Sequence, residues 1–146
     1  MNQTLIDNWN SRVKADDIVY HLGDFCWRGS QTKEILSQLK GKVTLITGNH
    51  DKKEVQKAGF QEVTSYKVIK PGGSYIALFH YPIQYWDRKH YGSIHLHGHS
   101  HGTVDSTGLL RMDVGVDCNE YRPVSLEEVM ERMRKKLINE NVELIK

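Results

Sequence analysis

Side chains that commonly bind metal ions occur in four separate places along this sequence. Asp24 is the first, the run 49–51 (Asn-His-Asp) is the second, His80 is the third, and His99 with His101 is the fourth. Imidazole nitrogens combined with carboxylate and amide oxygens suit divalent transition ions such as Mn²⁺, Fe²⁺, Zn²⁺ or Ni²⁺. Such ions lower the pKa of bound water and neutralise phosphoryl oxygens, so this set of residues predicts phosphoester hydrolysis.

Each of these four places follows a short segment with the pattern of a β-strand. The segments are 17–21, 43–47, 74–79 and 94–96. Ligands of sheet-based domains usually bind beyond the carboxyl ends of strands. We therefore expect the four loops to converge on one site, although they are distant in sequence.

A helix is predicted near each end of the chain. Leu5, Trp9 and Val13 recur at four-residue spacing, which is typical of an amphipathic helix. Near the C-terminus, Ser125 and Glu128 form an S-x-x-E capping box that is followed by an apolar helical stripe.

Two shorter helices are predicted in the first half of the chain. Ser30 or Thr32 is expected to cap a helix that ends before Gly41. Asp51 is expected to cap a second helix, which ends before Gly59.

The second half is predicted to be rich in strands. Segments 63–69 and 74–79 flank the turn 71–73 and predict a hairpin, and segment 109–116 predicts a further strand. Alternating strands and helices followed by clustered strands indicate an α/β domain with helices packed outside the sheets.

Length and composition favour one folded domain, spanning residues 1–146. The 20 basic and 18 acidic residues give a formal charge of +2, which indicates neither nucleic-acid nor membrane binding. No apolar run approaches the roughly 20 residues of a membrane-spanning helix. Cys26 and Cys118 lack the spacing of a disulfide framework. The expected location is therefore the cytoplasm.

Spacing alone does not identify which histidines bind metal. His95, His97, His99 and His101 alternate along the chain. His95 and His97 share one face of the preceding strand, which favours a structural role for both. His80, taken alone, is typical of a strand-end histidine, and its place before Tyr-Pro at a strand end favours a ligand role.

The motifs of this sequence and their order resemble those of the calcineurin-like metallophosphoesterases. The motifs are Gly23-Asp24, Gly48-Asn49-His50-Asp51, His80 after a strand, and Gly98-His99-Ser100-His101. Segment 114–125 is similar to that of small bacterial or phage members. The resemblance implies a β-sandwich of two mixed sheets with flanking helices, with the metals at one edge of the sandwich.

The resemblance also implies a role for each metal-binding residue. Asp24 would bridge two metals. Asn49, His80 and His99 would complete the second metal site, and His101 would belong to the first. Manganese or iron is expected, zinc and nickel stay open, and each chain would hold one or two ions.

His50 is implied to be a general acid that protonates the leaving oxygen rather than a ligand. Asp51 is implied to orient the His50 imidazole, and capping of the following helix is an equally good interpretation of this residue. The expected substrate is a small phosphoester or a nucleotide-like molecule, cleaved as a monoester or a diester by metal-activated water.

The sequence departs from the family pattern at its start. The family begins with a strand that carries Asp-x-His, and no Asp-x-His occurs here. The first metal site would then keep only Asp24 and His101. We expect this first strand to be absent, activity to be impaired, and the exposed sheet edge to favour a homodimer. The alternative hypothesis is a degenerate member with little catalysis that acts as a metal-binding or scaffolding module.

Overall fold

A computed structural model describes residues 3–25 and 29–145 of the chain. The described residues form four α-helices and seven β-strands. The helices are α1 (Gln3–Arg12), α2 (Thr32–Gln38), α3 (Lys53–Gln56) and α4 (Leu126–Asn139). The strands are β1 (Ile18–His21), β2 (Lys42–Ile46), β3 (Glu62–Thr64), β4 (Tyr66–Ile69), β5 (Ile76–Phe79), β6 (Ile94–His97) and β7 (Arg111–Asp113).

The strands form two sheets. The first has the order β1-β2-β3, and all of its strands are parallel. The second has the order β4-β5-β6-β7, in which β4 and β5 are antiparallel and the other neighbours are parallel. The predicted α/β architecture of two sheets with flanking helices is confirmed, although only the second sheet is mixed.

One face of the first sheet packs against helices α1, α2 and α3. Ile6 and Trp9 of α1, Ile35 of α2 and Leu45 of β2 are buried in one apolar cluster. The Trp9 indole N–H donates a hydrogen bond to the carbonyl of Lys40 at 2.8 Å. The predicted N-terminal helix is therefore confirmed, and its apolar stripe covers the sheet that carries the first two ligand loops.

A second apolar cluster joins the two sheets and helix α4. Ile46 of β2 lies in it with Leu78 of β5, Leu96 of β6 and Met133 of α4. Leu45 and Ile46 are successive residues of β2 and belong to different clusters, because side chains alternate between the faces of a strand. This alternation buries both faces of β2.

The capping predictions had different outcomes. Helix α4 begins with the predicted capping box, in which the Ser125 hydroxyl accepts a hydrogen bond from the Glu128 amide. The predicted caps of α2 and α3 are wrong. Gln31 precedes α2 and Lys52 precedes α3, and neither helix has a side-chain cap.

The segment predicted as one strand over 63–69 divides between the two sheets. Thr64 ends β3 in the first sheet, and Tyr66 begins β4 in the second. The predicted hairpin is confirmed for β4 and β5. The strand predicted over 109–116 is shorter and covers Arg111–Asp113.

Within the described residues, no helix has both the length and the apolar character required to cross a membrane. Cys118 is a free, exposed thiol, and partial desolvation together with the nearby Asp113 and Asp117 carboxylates raises its pKa to about 11. This thiol is therefore protonated near neutral pH. Cys26 lies outside the described residues.

Candidate metal centre

Four loops that follow parallel strands converge at one edge of the two sheets. Asp24 follows β1, Asn49 follows β2, His80 follows β5 and His99 follows β6. The ligand atoms of Asp24, His80 and His99 all lie within 4.8 Å of one another. These distances confirm the predicted convergence of the loops. The loops meet because parallel neighbouring strands end at the same edge of their sheet.

His80 lies at the centre of this group and is buried. Its Nδ1 atom is 2.6 Å from the Leu22 carbonyl oxygen. A carbonyl oxygen only accepts hydrogen bonds, so Nδ1 carries a proton. In the neutral ring, Nε2 then presents a lone pair to the group. That atom lies 3.0 Å from Asn49 Oδ1, 3.3 Å from Asp24 Oδ2 and 3.2 Å from His99 Nδ1.

The atoms around His80 Nε2 fit a divalent cation. Carboxylate oxygens and amide oxygens are hydrogen-bond acceptors, and so is the unprotonated nitrogen of an imidazole. Several lone pairs that face one another are stabilised when a positive charge lies between them. Two imidazoles, one carboxylate and one amide oxygen are the donor set expected for a transition metal ion. Asp24, Asn49, His80 and His99 could hold such an ion.

Asp51 connects two of the ligand loops. Its carboxylate accepts hydrogen bonds from the backbone amides of Asp24 at 2.6 Å, Phe25 at 2.8 Å and Gly48 at 2.7 Å. These contacts, rather than an N-terminal helix cap, occupy the buried carboxylate. The structure thus gives Asp51 a positioning role for the Asp24 loop, and its orientation of His50 stays a prediction.

Gly23 and Gly48 let these loops approach each other closely. A Cβ atom on Gly23 would lie 2.3 Å from His80 Nδ1, and one on Gly48 would lie 2.6 Å from Asp24 Oδ1. Both distances are shorter than any ordinary contact. Gly23 also has a φ angle of +100°, which glycine adopts with little strain. The two glycines are therefore required by the packing of the site.

Three of the predicted ligands have backbone conformations that are unusual for residues with a side chain. The φ angles are +57° for Asp24, +63° for His99 and +52° for His101. The left-handed region costs a non-glycine residue about 1 kcal/mol or more. Strained conformations concentrate at functional sites, which agrees with the positions of these three residues.

Asn49 joins the metal group to His50. Its Oδ1 atom faces His80 Nε2, and its Nδ2 atom lies 3.2 Å from His50 Nε2. An amide nitrogen only donates, so His50 Nε2 accepts this hydrogen bond. The His50 backbone amide also donates to Asp24 Oδ1 at 2.9 Å. His50 is thus held beside the group, and its ring is outside the set of three ligand atoms.

His101 is exposed and lies outside the group formed by Asp24, His80 and His99. Its Nδ1 atom is paired with the Asp117 carboxylate. The hydrogen bond to Asp117 and the charge of this residue raise the pKa of His101. A carboxylate on Nδ1 leaves Nε2 as the atom that could coordinate a metal. The role of His101 in a first metal site stays a prediction.

Asp113, which sequence reasoning missed, organises the loop that carries His99 and His101. Its carboxylate accepts hydrogen bonds from the Ser100 hydroxyl at 2.8 Å and the Gly102 amide at 2.9 Å. Burial alone raises the pKa of Asp113, but hydrogen bonds lower it overall, so the carboxylate stays charged. The position of Asp113 in the sequence did not indicate this role, because its hydrogen-bond partners Ser100 and Gly102 lie in a different loop.

His95 anchors the turn that follows His80. Its Nδ1 atom donates to the Ala77 carbonyl at 3.0 Å, and its Nε2 atom accepts from the Ile83 amide at 3.2 Å. Burial lowers the pKa of His95 from 6.5 to about 4. His97 is also buried and lies 2.9 Å from the Gly98 carbonyl through Nδ1. These contacts agree with the structural roles that strand parity predicts.

The low pKa of His95 predicts a loss of stability in mild acid. The unfolded chain gains a proton on this residue as the pH falls below 6.5, whereas the folded chain does so only near pH 4. Between pH 6.5 and 5, His95 should therefore lower the free energy of unfolding by about 2 kcal/mol. Urea denaturation of wild type and of His95→Gln, with a chelator present, measures this effect. An equal loss in both proteins over that range would contradict it.

A family model matches most of the chain. The model is described as the calcineurin-like phosphoesterase superfamily domain, and it matches residues 1–115. This range includes each of the four loops that form the metal group.

A relative and a solved structure are similar over most of their lengths. The uncharacterized protein MJ1445 of Methanocaldococcus jannaschii is 34% identical over 144 residues, which cover 92% of this chain and 76% of the relative. The crystal structure of the protein of unknown function AQ665 from Aquifex aeolicus superposes with a TM-score of 0.72 at 28% sequence identity. That similarity covers 88% of this chain and 83% of the other.

Proposed function

Because the chain belongs to the calcineurin-like phosphoesterase superfamily, we propose that it hydrolyses a small phosphomonoester or phosphodiester with the help of a divalent metal ion. One observation carries the proposal. The His80 Nε2 atom lies 3.0–3.3 Å from Asp24 Oδ2, Asn49 Oδ1 and His99 Nδ1, and this group of atoms that commonly bind metals suits a cation. A bound divalent ion supplies Lewis acidity, which activates water and neutralises charge on the phosphoryl group.

The chain's own residues then hold and position the reacting groups. Asp24, Asn49, His80 and His99 would hold the ion, which we propose to be manganese or iron. Asp51 fixes the Asp24 loop through three backbone amides. Fixing ligands in advance matters, because a loosely held site loses much of its electrostatic effect on the transition state.

His50 is proposed to deliver a proton to the leaving oxygen. The acid would be the protonated ring, which gives up its Nε2 proton and becomes the neutral tautomer with a proton on Nδ1; the hydrogen bond from Asn49 to Nε2 fits that neutral tautomer. A positioned acid of this kind contributes about 10²–10⁴-fold to the rate of such reactions. His50 is near the metal group through both its backbone amide and its ring, which supports this role.

Metal removal provides the test of the proposed function. Protein purified with manganese should hydrolyse bis(p-nitrophenyl) phosphate or p-nitrophenyl phosphate, and the two substrates distinguish a diesterase from a monoesterase. A chelator should remove the activity, and added manganese should restore it. Elemental analysis should find bound metal in the active sample. Hydrolysis that persists in the chelated, metal-free protein would contradict the proposal.

A second function, a metal-binding or scaffolding module with little catalysis, is favoured by one observation. Over residues 3–25 and 29–145, one group of acidic and histidine side chains is close enough together to hold a metal ion, namely Asp24, His80 and His99. Two-metal phosphoesterases clamp both reacting oxygens with a pair of ions. Stoichiometric metal binding without turnover of either aryl phosphate would favour this second function over the first.

A further inference from the structure

Three aromatic side chains form a continuous strip that leads to the metal group. Tyr66 of β4 lies opposite Phe79 of β5, and Tyr81 follows Phe79 by two residues. The ring centroids of Tyr66 and Phe79 are 6.1 Å apart, and those of Phe79 and Tyr81 are 5.9 Å apart. We call these three residues the aromatic strip. Tyr66 and Phe79 face each other across the β4–β5 pair, and Tyr81 lies in the bend that follows β5, against the Phe79 ring.

The aromatic strip ends in direct contact with two of the proposed metal ligands. The Tyr81 ring centroid is 4.7 Å from that of His99 and 4.8 Å from that of His80. Tyr81 is nevertheless 37% exposed, and Tyr66 is 40% exposed. A partly exposed aromatic ring therefore borders the metal group at which the phosphate of the substrate is proposed to bind.

Resting on the proposed function, we propose that Tyr81 is a specificity-determining residue whose ring stacks on a planar heteroaromatic group of the substrate, of the nucleobase class. Every base has a π face, and stacking of a base on an aromatic side chain contributes about 10- to 100-fold in affinity. A phosphoester that carries a base would thus bind through two points, its phosphate at the metal group and its base on Tyr81.

The net charge of the chain favours a small substrate over a long polyanion. The formal charge of +2 gives little attraction for a long polyanion. One cavity of about 620 Å³ borders α2 and β2, and another of about 430 Å³ borders loop 107–110. Neither cavity is lined by Asp24, His80 or His99, and neither is lined by a residue of the aromatic strip.

Binding measurements with two phosphates isolate the contribution of the base. Adenosine 5′-monophosphate and ribose 5-phosphate share a phosphorylated ribose and differ in the adenine. We expect manganese-loaded protein to bind the adenine compound about 10-fold more tightly or better in calorimetric titrations. Tyr81→Phe should keep this preference, because the ring remains. Tyr81→Leu should abolish this preference, because it should weaken binding of the adenine compound about 10-fold or more beyond any change in binding of ribose 5-phosphate.

Tyr91→Leu is the matched control, since Tyr91 is 73% exposed and lies outside the aromatic strip. This variant should behave as wild type. If Tyr81→Leu weakened the binding of both phosphates equally, Tyr81 would only support His99, and the inference would be overturned. If wild type hydrolyses an aryl phosphate but binds the two phosphates with equal affinity, the role of Tyr81 would be overturned and the proposed function would stand. Failure of wild type both to hydrolyse and to bind phosphate would overturn the proposed function as well.

Discussion

Replacing Asp24 with alanine should abolish metal binding and any phosphoesterase activity. The carboxylate contributes Oδ2 to the metal group, and its Oδ1 accepts a hydrogen bond from the His50 backbone amide. Loss of a partner that merely orients a ligand weakens metal affinity about 10- to 100-fold, and loss of the ligand itself should cost at least about 100-fold. Calorimetric titration with manganese and hydrolysis of an aryl phosphodiester measure the two effects.

Controls separate this loss from unfolding. Asp16→Ala removes an exposed carboxylate before β1 and should leave both measurements unchanged. Asp24→Asn keeps an oxygen that can accept from the His50 amide, and it should preserve the thermal transition of the metal-free protein. If Asp24→Ala kept wild-type manganese affinity, the assignment of the metal group would be wrong.

Replacing His50 with alanine should have a different result, in which metal binding is retained and turnover is lost. The His50 side chain lies outside the set of ligand atoms and contacts the group through Asn49. Loss of a general acid should lower kcat by about 10²–10⁴-fold. The manganese dissociation constant should stay close to that of wild type.

The leaving group gives this prediction its sharpest test. A phosphoester with a poor leaving group needs protonation more than one with p-nitrophenolate, so the loss in His50→Ala should be larger for an alkyl ester. His90→Ala, outside the site, is the matched histidine control. Loss of the metal from His50→Ala would show that His50 is a ligand, against the role proposed here.

The sequence was most informative where one local pattern dominates. Four-residue spacing of Leu5, Trp9 and Val13 predicted α1, and the Ser125–Glu128 capping box predicted the start of α4. These signals depend on residues within a few positions of one another. Local chemistry was sufficient because each pattern contains its own hydrogen-bonding partners or its own apolar face.

Local patterns failed where a side chain has a partner far away in sequence. Asp51 is a residue type that commonly caps a helix, yet its carboxylate binds the amides of Asp24 and Phe25 across 27 and 26 positions. The strand predicted over 63–69 divides at Ser65, because β3 pairs with β2 and β4 pairs with β5. Competition between distant partners decided both cases.

The sequence by itself determined which ligand types are present and that each follows a strand, and hence the family resemblance and the phosphoester hypothesis. Only the tertiary structure decided that His80 turns Nε2 toward Asp24, Asn49 and His99, since the Leu22 carbonyl holds its other nitrogen. Only the tertiary structure brought Tyr81 against two ligand histidines. The order of residues limits which loops can meet, whereas the packing of the two sheets fixes which atoms face one another within 3–5 Å.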